Sequence, residues 1–295
     1  MSRSTGTPGT KRKRELGIVT FALDVWNHKR GRIGVLIVAF FVGLALFGPL
    51  ISPYNPYAFV ARPYLQPSVE HLLGTDGIGR DLLSQLLWGS RITLLIGFVV
   101  AVSVIIVGSA VGLAAAYYGG LIDELLMRFT DELMVLPSLP LMIWLATMLG
   151  QNMWNTILVL AIFGWPSMAR MVRSETLSIK NRPFVDAARV SGAGDLSLMT
   201  RIILPNVAPL IVANGILSII GAILGEASLS FLGLGDPFNM SWGTILYFAQ
   251  IEGAFYNNGW AWILAPGLSI ASIGMAITFI GTAITDIANP RLRSA

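Results

Sequence analysis

Cysteine is absent from this sequence, which excludes disulfides, thiolate metal sites and cysteine nucleophiles. Histidine is nearly absent: His28 and His71 are the two present, and no histidine metal cluster or catalytic triad can be built from them. Charge is scarce as well, at 12% of the chain, where an ordinary soluble domain carries roughly 25%. No segment reads G-x-x-x-x-G-K-[ST], so a phosphate-binding loop for ATP is missing. The long uncharged runs contain no aspartate pair and no serine with a base, which argues against an intramembrane hydrolase. These absences describe a chain with no catalytic residues and no metal or cofactor site of its own.

Apolar residues supply 54% of the chain, and the few charges fall into blocks separated by stretches that hold none. A membrane-crossing helix needs about 20 apolar residues. Five charge-free runs meet or approach that length: Ile33 to Ile51, Ile92 to Ile122, Leu133 to Ala169, Val207 to Gly225 and Gly253 to Thr285. The third is too long for one crossing and is interrupted by Gly150-Gln151-Asn152-Met153-Trp154-Asn155, so it splits into two. The expected fold is an all-α integral membrane protein with six transmembrane helices. Of the 20 lysines and arginines, all but Arg62, Arg80 and Arg91 fall in segments that are internal if the N-terminus is internal. The positive-inside rule therefore puts both termini in the cytoplasm. The net charge of +4 is read as this topological signal and not as a nucleic-acid interface.

The expected segments are a polar leader over 1–32, a first helix over 33–51, an external segment over 52–90, a five-helix unit over 91–288 with a cytoplasmic loop at 173–206, and a short tail at 289–295. The first apolar run exceeds the 7–15 residues of a signal-peptide core and is expected to remain as an anchor. Gly108 and Gly112, like Gly221 and Gly225, are spaced for close helix packing. Pro137, Pro140, Pro166 and Pro266 lie in or near spans, where each removes a backbone donor.

The cytoplasmic loop reads as two short helices. Asn181 can cap and Pro183 suits a first turn, and Phe184, Val185, Ala187 and Ala188 make a small apolar face. Gly192 supplies a turn, and Asp195 starts a second helix that Pro205 is expected to end. Glu226, about 20 residues into the fifth span, is expected near the outer membrane face. Two readings stay open for it: it lines a substrate path and meets a cationic group, or it sits at the water interface and pairs locally.

Asp186-Ala187-Ala188, then Gly192 after three residues, then Ile202-x-Leu204-Pro205 after nine more, resembles the EAA motif of bacterial binding-protein-dependent ABC importer permeases. The first position departs from it, since Asp186 stands where that family has glutamate. His71-Leu-Leu-Gly-Thr-Asp-Gly-Ile-Gly-Arg-Asp81, Glu226-Ala-Ser-Leu-Ser-Phe-Leu-Gly-Leu-Gly235 with Ser241-Trp242-Gly243, and Asn289-Pro290-Arg291-Leu292-Arg293 are similar to the DppC/OppC type. The resemblance implies a type I ABC importer permease fold in the bacterial or archaeal inner membrane, forming half of a translocation pathway. It further implies that Asp186, Ala187, Ala188, Gly192, Ile202, Leu204 and Pro205 couple to a separate ATPase, one of two ATPase subunits that bind ATP and Mg. A homologous second permease and an extracytoplasmic substrate-binding protein are the other implied partners. Di- or oligopeptides are the implied cargo, with nickel complexes or oligosaccharides as alternatives and a non-transport membrane scaffold as the rival role.

Overall fold

The computed structural model describes residues 23–288, without the side chain of Ala288. The leader over 1–14 and the Asn289 to Arg293 segment lie outside the described residues. After a short helical stretch at 23–27, inside the expected leader, the first long helix, α1, spans Lys29–Ile51. It begins four residues before the uncharged run because His28 caps it, accepting from the Gly31 N–H through Nδ1. α2 (Leu82–Tyr118) has 37 residues and is about 55 Å long at 1.5 Å per residue. It starts ten residues before Ile92 because the Asp81 carboxylate accepts from the Ser84 N–H and Oγ at 2.8 and 2.7 Å. The charge of Arg91 lies within this helix and hid its first turns from a search for uncharged runs.

α3 (Gly120–Val135) and α4 (Ser138–Leu149) follow. They form one broken span bent by 91°, with Pro137 at the break. The charged stretch from Asp123 to Glu132, which separates the uncharged runs Ile92 to Ile122 and Leu133 to Ala169, is thus helical. Its charges fall on one side of a helix that packs on α5 (Met153–Lys180). There Arg173 forks onto Asp123 with Nε and Nη2 at 2.5 and 2.7 Å, Arg170 pairs with Asp131, and Phe129 stacks on Trp165 at 6.1 Å. The expected polar break is present, with Gly150 at φ +87° closing α4 and Asn152 capping α5.

α6 (Pro183–Val190) is the first helix of the inner hairpin. The second runs directly into the fifth span as α7 (Asp195–Leu234). α8 (Trp242–Ile251) and α9 (Trp260–Ala288) complete the chain. Five helices are long and apolar enough to cross a membrane, and the bent α3–α4 pair makes a sixth.

The bundle has two large packing centres and a small third one around Val25, Ala213, Ala283 and Ile284. α2, α5 and α7 share one, around Val100, Val104, Leu160, Met168 and Val172. Its closest approach depends on Gly112, where a β-carbon would come within 2.3 Å of the Ala169 carbonyl, and on Gly108, where it would come within 2.6 Å of Met168 Cβ. Small-residue packing is therefore the role of this pair. In the other pair, a β-carbon on Gly225 would come within 2.7 Å of Leu160 Cδ2, but one on Gly221 would meet nothing within 4 Å. The second centre joins α1, α8 and α9 around Phe41, Trp242 and Ile273, with Gly34 of α1 against the Ala276 carbonyl.

At the outer end, the His71 to Asp81 segment folds into a closed knot. His71 Nδ1 lies 2.9 Å from Asp81 Oδ1. Asp76 accepts from the N–H groups of Ile78 and Arg80, from Arg80 Nε at 2.5 Å and from Gln85 Nε2 at 2.8 Å. Nearby, the Asp236 carboxylate receives Asn239 Nδ2 and the N–H groups of Phe238, Met153 and Asn239. Burial would raise the Asp236 carboxyl, but these donors outweigh it and hold it below the usual carboxylate range.

Candidate functional site

The inner ends of α2 and α5 are bound together before the hairpin begins. Lys180 Nζ donates to the carbonyls of Ala116 and Tyr117 at 3.1 and 2.5 Å and stands 5.7 Å from the centre of the Tyr117 ring. These are C-terminal carbonyls of α2, which a cation stabilises. Arg182 occupies the cap position of α6, with Pro183 in its first turn. Asn181 lies at the end of α5 instead, donating Nδ2 to the Leu177 carbonyl at 3.3 Å.

Every residue of α6 is exposed or half-buried except Val185, which is fully buried and meets the core that includes Leu198 and Ile203. On the outward side stand Phe184, Asp186, Ala187 and Val190, the last 90% exposed. Asp186 pairs with Arg189 at 3.0 Å, its charge near the helix start and that of Arg189 near the end, as the helix dipole favours. Gly192 turns the chain with φ +85° and has open space where a β-carbon would be. Its N–H donates to the Arg189 carbonyl at 3.0 Å, and the N–H of Ala193 donates to that of Ala188 at 3.1 Å. A positive φ at this position is what favours glycine.

The hairpin is fixed from below. Asp195, in the first turn of α7, accepts from the Tyr117 hydroxyl at 2.6 Å. Leu198–Ile203 then form a π-helical turn and Leu204–Leu229 continue as α-helix. Pro205 was expected to end the second helix, and it does not. It lies in the first turn of the following α-helical stretch, where the backbone bonds shift and a missing N–H is tolerated.

The structure thus divides the seven motif residues. Asp186, Ala187 and Gly192 face outward, whereas Ala188, Ile202, Leu204 and Pro205 are half-buried and join the knob to the bundle. Val190 and Leu196, exposed at 90% and 74%, belong to the same outward surface and were not singled out in the sequence. An apolar residue in a short helix reads as core until the packing around it is known.

Glu226 lies elsewhere, near the outer end of α7, and is 1% exposed. The water interface does not describe its surroundings. Its Oε1 accepts from the hydroxyls of Ser230 and Ser241, each at 2.6 Å. Ser241 in turn caps α8 by accepting from the Thr244 N–H at 3.1 Å. Glu226 therefore ties α7 to the start of α8, while its Oε2 has no partner. All three residues lie in the stretches similar to the DppC/OppC type, but the linear pattern does not show that Ser230, one turn on, and Ser241, past the loop, converge on one carboxylate oxygen.

Comparison with known proteins gives the same answer over almost the whole length. Residues 108–294 match the binding-protein-dependent transport system inner membrane component, and residues 24–68 match the N-terminal TM domain of oligopeptide transport permease C. A putative peptide transport system permease protein of Brucella abortus is 40% identical over 280 residues, covering 94% of this chain and 93% of its own. The di/tripeptide transport system permease protein DppC of Pseudomonas aeruginosa is 38% identical over 278 residues, covering 91% and 90%. A chain of the MetNI methionine ABC transporter, solved in inward-facing conformations, shares the fold at a TM-score of 0.55 and 20% identity, over 69% of this chain and 96% of that one. This chain belongs to the family of binding-protein-dependent transport system inner membrane components, as a permease of the DppC type with the type I ABC importer fold.

Proposed function

We propose that this chain forms half of the membrane pathway of an ATP-driven importer of di- or short oligopeptides. A homologous permease supplies the other half, and an extracytoplasmic binding protein delivers the peptide. Two ATPase subunits bind ATP and Mg, one of them seating on the α6 knob of this chain, and this chain performs no catalysis. Family membership and the peptide names of the relatives support the cargo class.

The observation that carries the coupling role is the outward surface of Phe184, Ala187, Val190 and Leu196 on a base fixed by Val185, Lys180 and the Tyr117–Asp195 bond. Small and apolar side chains permit close approach of a rigid partner, and a firm base lets partner movement reach α5 and α7 without being lost in the loop.

The test is to purify the whole importer carrying Val190→Asp or Ala187→Trp and to measure ATPase retention together with peptide uptake. Losing one buried apolar contact of about 1.5–3 kcal/mol should weaken ATPase association by roughly tenfold or more. Asp186→Glu preserves the charge and should keep most of the uptake. Full ATPase retention and uptake in both Val190→Asp and Ala187→Trp would remove α6 from the coupling role.

A further inference from the structure

At the end of the bundle opposite the coupling hairpin, the segment 52–81 and the turn between α8 and α9 meet around a cavity. It holds 120 Å³, room for one side chain, where sites for drug-sized ligands hold roughly 300–1,000 Å³. Tyr64, Gln66 and Thr75 line it from one side, and Asn258, Trp260 and Trp262 from the other. Two hydrogen bonds join the sides. The Tyr64 hydroxyl donates to the Glu252 carbonyl at 2.5 Å, and Gln66 Nε2 donates to the Asn258 carbonyl at 3.5 Å.

Two observations set this cavity apart. Trp262 is 1% exposed, and its Nε1–H meets no acceptor among the described residues. A buried donor without a partner costs stability, so native folds keep few of them. The backbone around the cavity is also strained. Tyr64 at φ +55° and Asn258 at φ +56° are the two non-glycine residues of positive φ among the described residues, and both line this cavity. Such a conformation is unfavourable for a bulky residue like tyrosine, and strain of this kind collects at functional sites.

We propose that this cavity is an anchor point for the extracytoplasmic binding protein, receiving from one of its loops a small apolar side chain, such as proline or valine, and the backbone carbonyl beside it. The inference rests on the importer reading above. The carbonyl accepts from Trp262 Nε1–H. The side chain packs among the rings of Tyr64, Trp260 and Trp262, of which Tyr64 and Trp262 are centred 6.4 Å apart. No aspartate, glutamate, lysine, arginine or histidine lines the cavity, so it offers no counter-ion to a charged ligand. That disfavours the cargo itself, because every side chain of a di- or tripeptide stands within one or two residues of a charged terminus. A loop of a folded protein has no such charges. Val69 and Tyr256, 95% and 87% exposed, lie three residues after Gln66 and two before Asn258, and apolar exposure beside a cavity is what an interaction surface presents. A single small anchor also suits a partner that must dock and leave.

The experiment measures the affinity of the purified binding protein for the complete importer in nanodiscs. Trp262→Phe keeps an aromatic ring and removes the N–H, and should weaken docking by about fivefold, the scale of one hydrogen bond. Ala261→Phe fills the cavity, which Ala261 also lines, and should weaken it by about tenfold or more. Trp26→Phe, at the inner end, should leave it unchanged. A photocrosslinking amino acid in place of exposed Gln66 should capture the binding protein at an apolar surface residue. Replacing that residue by aspartate should weaken docking, with no further loss when combined with Ala261→Phe. Co-purification of all subunits should be the same throughout. If the importer docks its binding protein and imports peptide, yet both cavity variants dock it normally or Gln66 crosslinks to cargo, lipid or the second permease, the anchor is overturned while the importer reading stands. If the unaltered complex neither docks a binding protein nor imports a peptide, both fall.

Discussion

Two glycines placed by the same small-xxx-small spacing have opposite surroundings. At Gly112 a β-carbon would lie 2.3 Å from a backbone oxygen of α5 and 2.9 Å from Val172 Cβ. Backbone cannot give way as a side-chain tip can, so α2 and α5 would have to separate. Gly112→Val should therefore destabilise by about 1–3 kcal/mol or more. At Gly221 nothing stands within 4 Å, and Gly221→Ala should leave stability unchanged or raise it by about 0.5–1 kcal/mol through the helix preference for alanine. Thermal unfolding of both variants in the same detergent checks the contrast. If Gly112→Val melted with the native protein, the close α2–α5 contact would be the wrong account. Spacing revealed that these residues are small for a reason, but only the neighbouring helix distinguishes contact from open space.

Among the elements, the inner hairpin shows how a short helix gains a fixed position. Eight residues of α6 form too short a helix to persist alone. It is held by buried Val185, by the Gly192 turn and by the Tyr117–Asp195 hydrogen bond linking α2 to the start of α7. Tyr117→Phe removes only that bond, a loss of about 1–2 kcal/mol. Amide hydrogen exchange across 183–203 should speed up by roughly tenfold, as each 1.4 kcal/mol is a factor of ten, while the spans keep their protection. Unchanged exchange in the hairpin would show that Val185 and its neighbours suffice. The motif spacing gave this element its place in the chain and its partner class. It did not give the π-helical turn at Leu198–Ile203, which moves Pro205 from the end of one helix to the beginning of the next stretch.

At the scale of the molecule, the distribution of lysine and arginine makes a claim about sides that labelling can check. The native chain has no cysteine, so single cysteines report without background. Ser68 and Ser191 are both exposed, in the outer segment and just after α6 respectively. With an impermeant thiol reagent, Ser68→Cys should react from outside and Ser191→Cys only once the inner face is opened. The reverse pattern would invert every assignment of inner and outer ends made above.

Uncharged runs, basic flanks and the Asp186 to Pro205 spacing were enough to read the membrane-spanning architecture and its family resemblance and to predict an orientation. They are linear properties: crossing a bilayer requires length and low charge, whatever the neighbours are. What depended on tertiary structure was which residues meet. The charges of Asp123 to Glu132 interrupt the hydropathy and divide two uncharged runs, yet Arg170 and Arg173 on α5 and the stacked Trp165 hold the stretch as helix continuous with the bent α3–α4 pair. Glu226 was open to a path-lining or an interfacial reading, yet it is buried and bonded to Ser230 on its own helix and to Ser241 at the start of α8. Val190 and Leu196 carried no signal in the sequence, yet they stand 90% and 74% exposed among the described residues. Ion pairing, burial and exposure are relations between distant segments, and they come into being only when the helices pack.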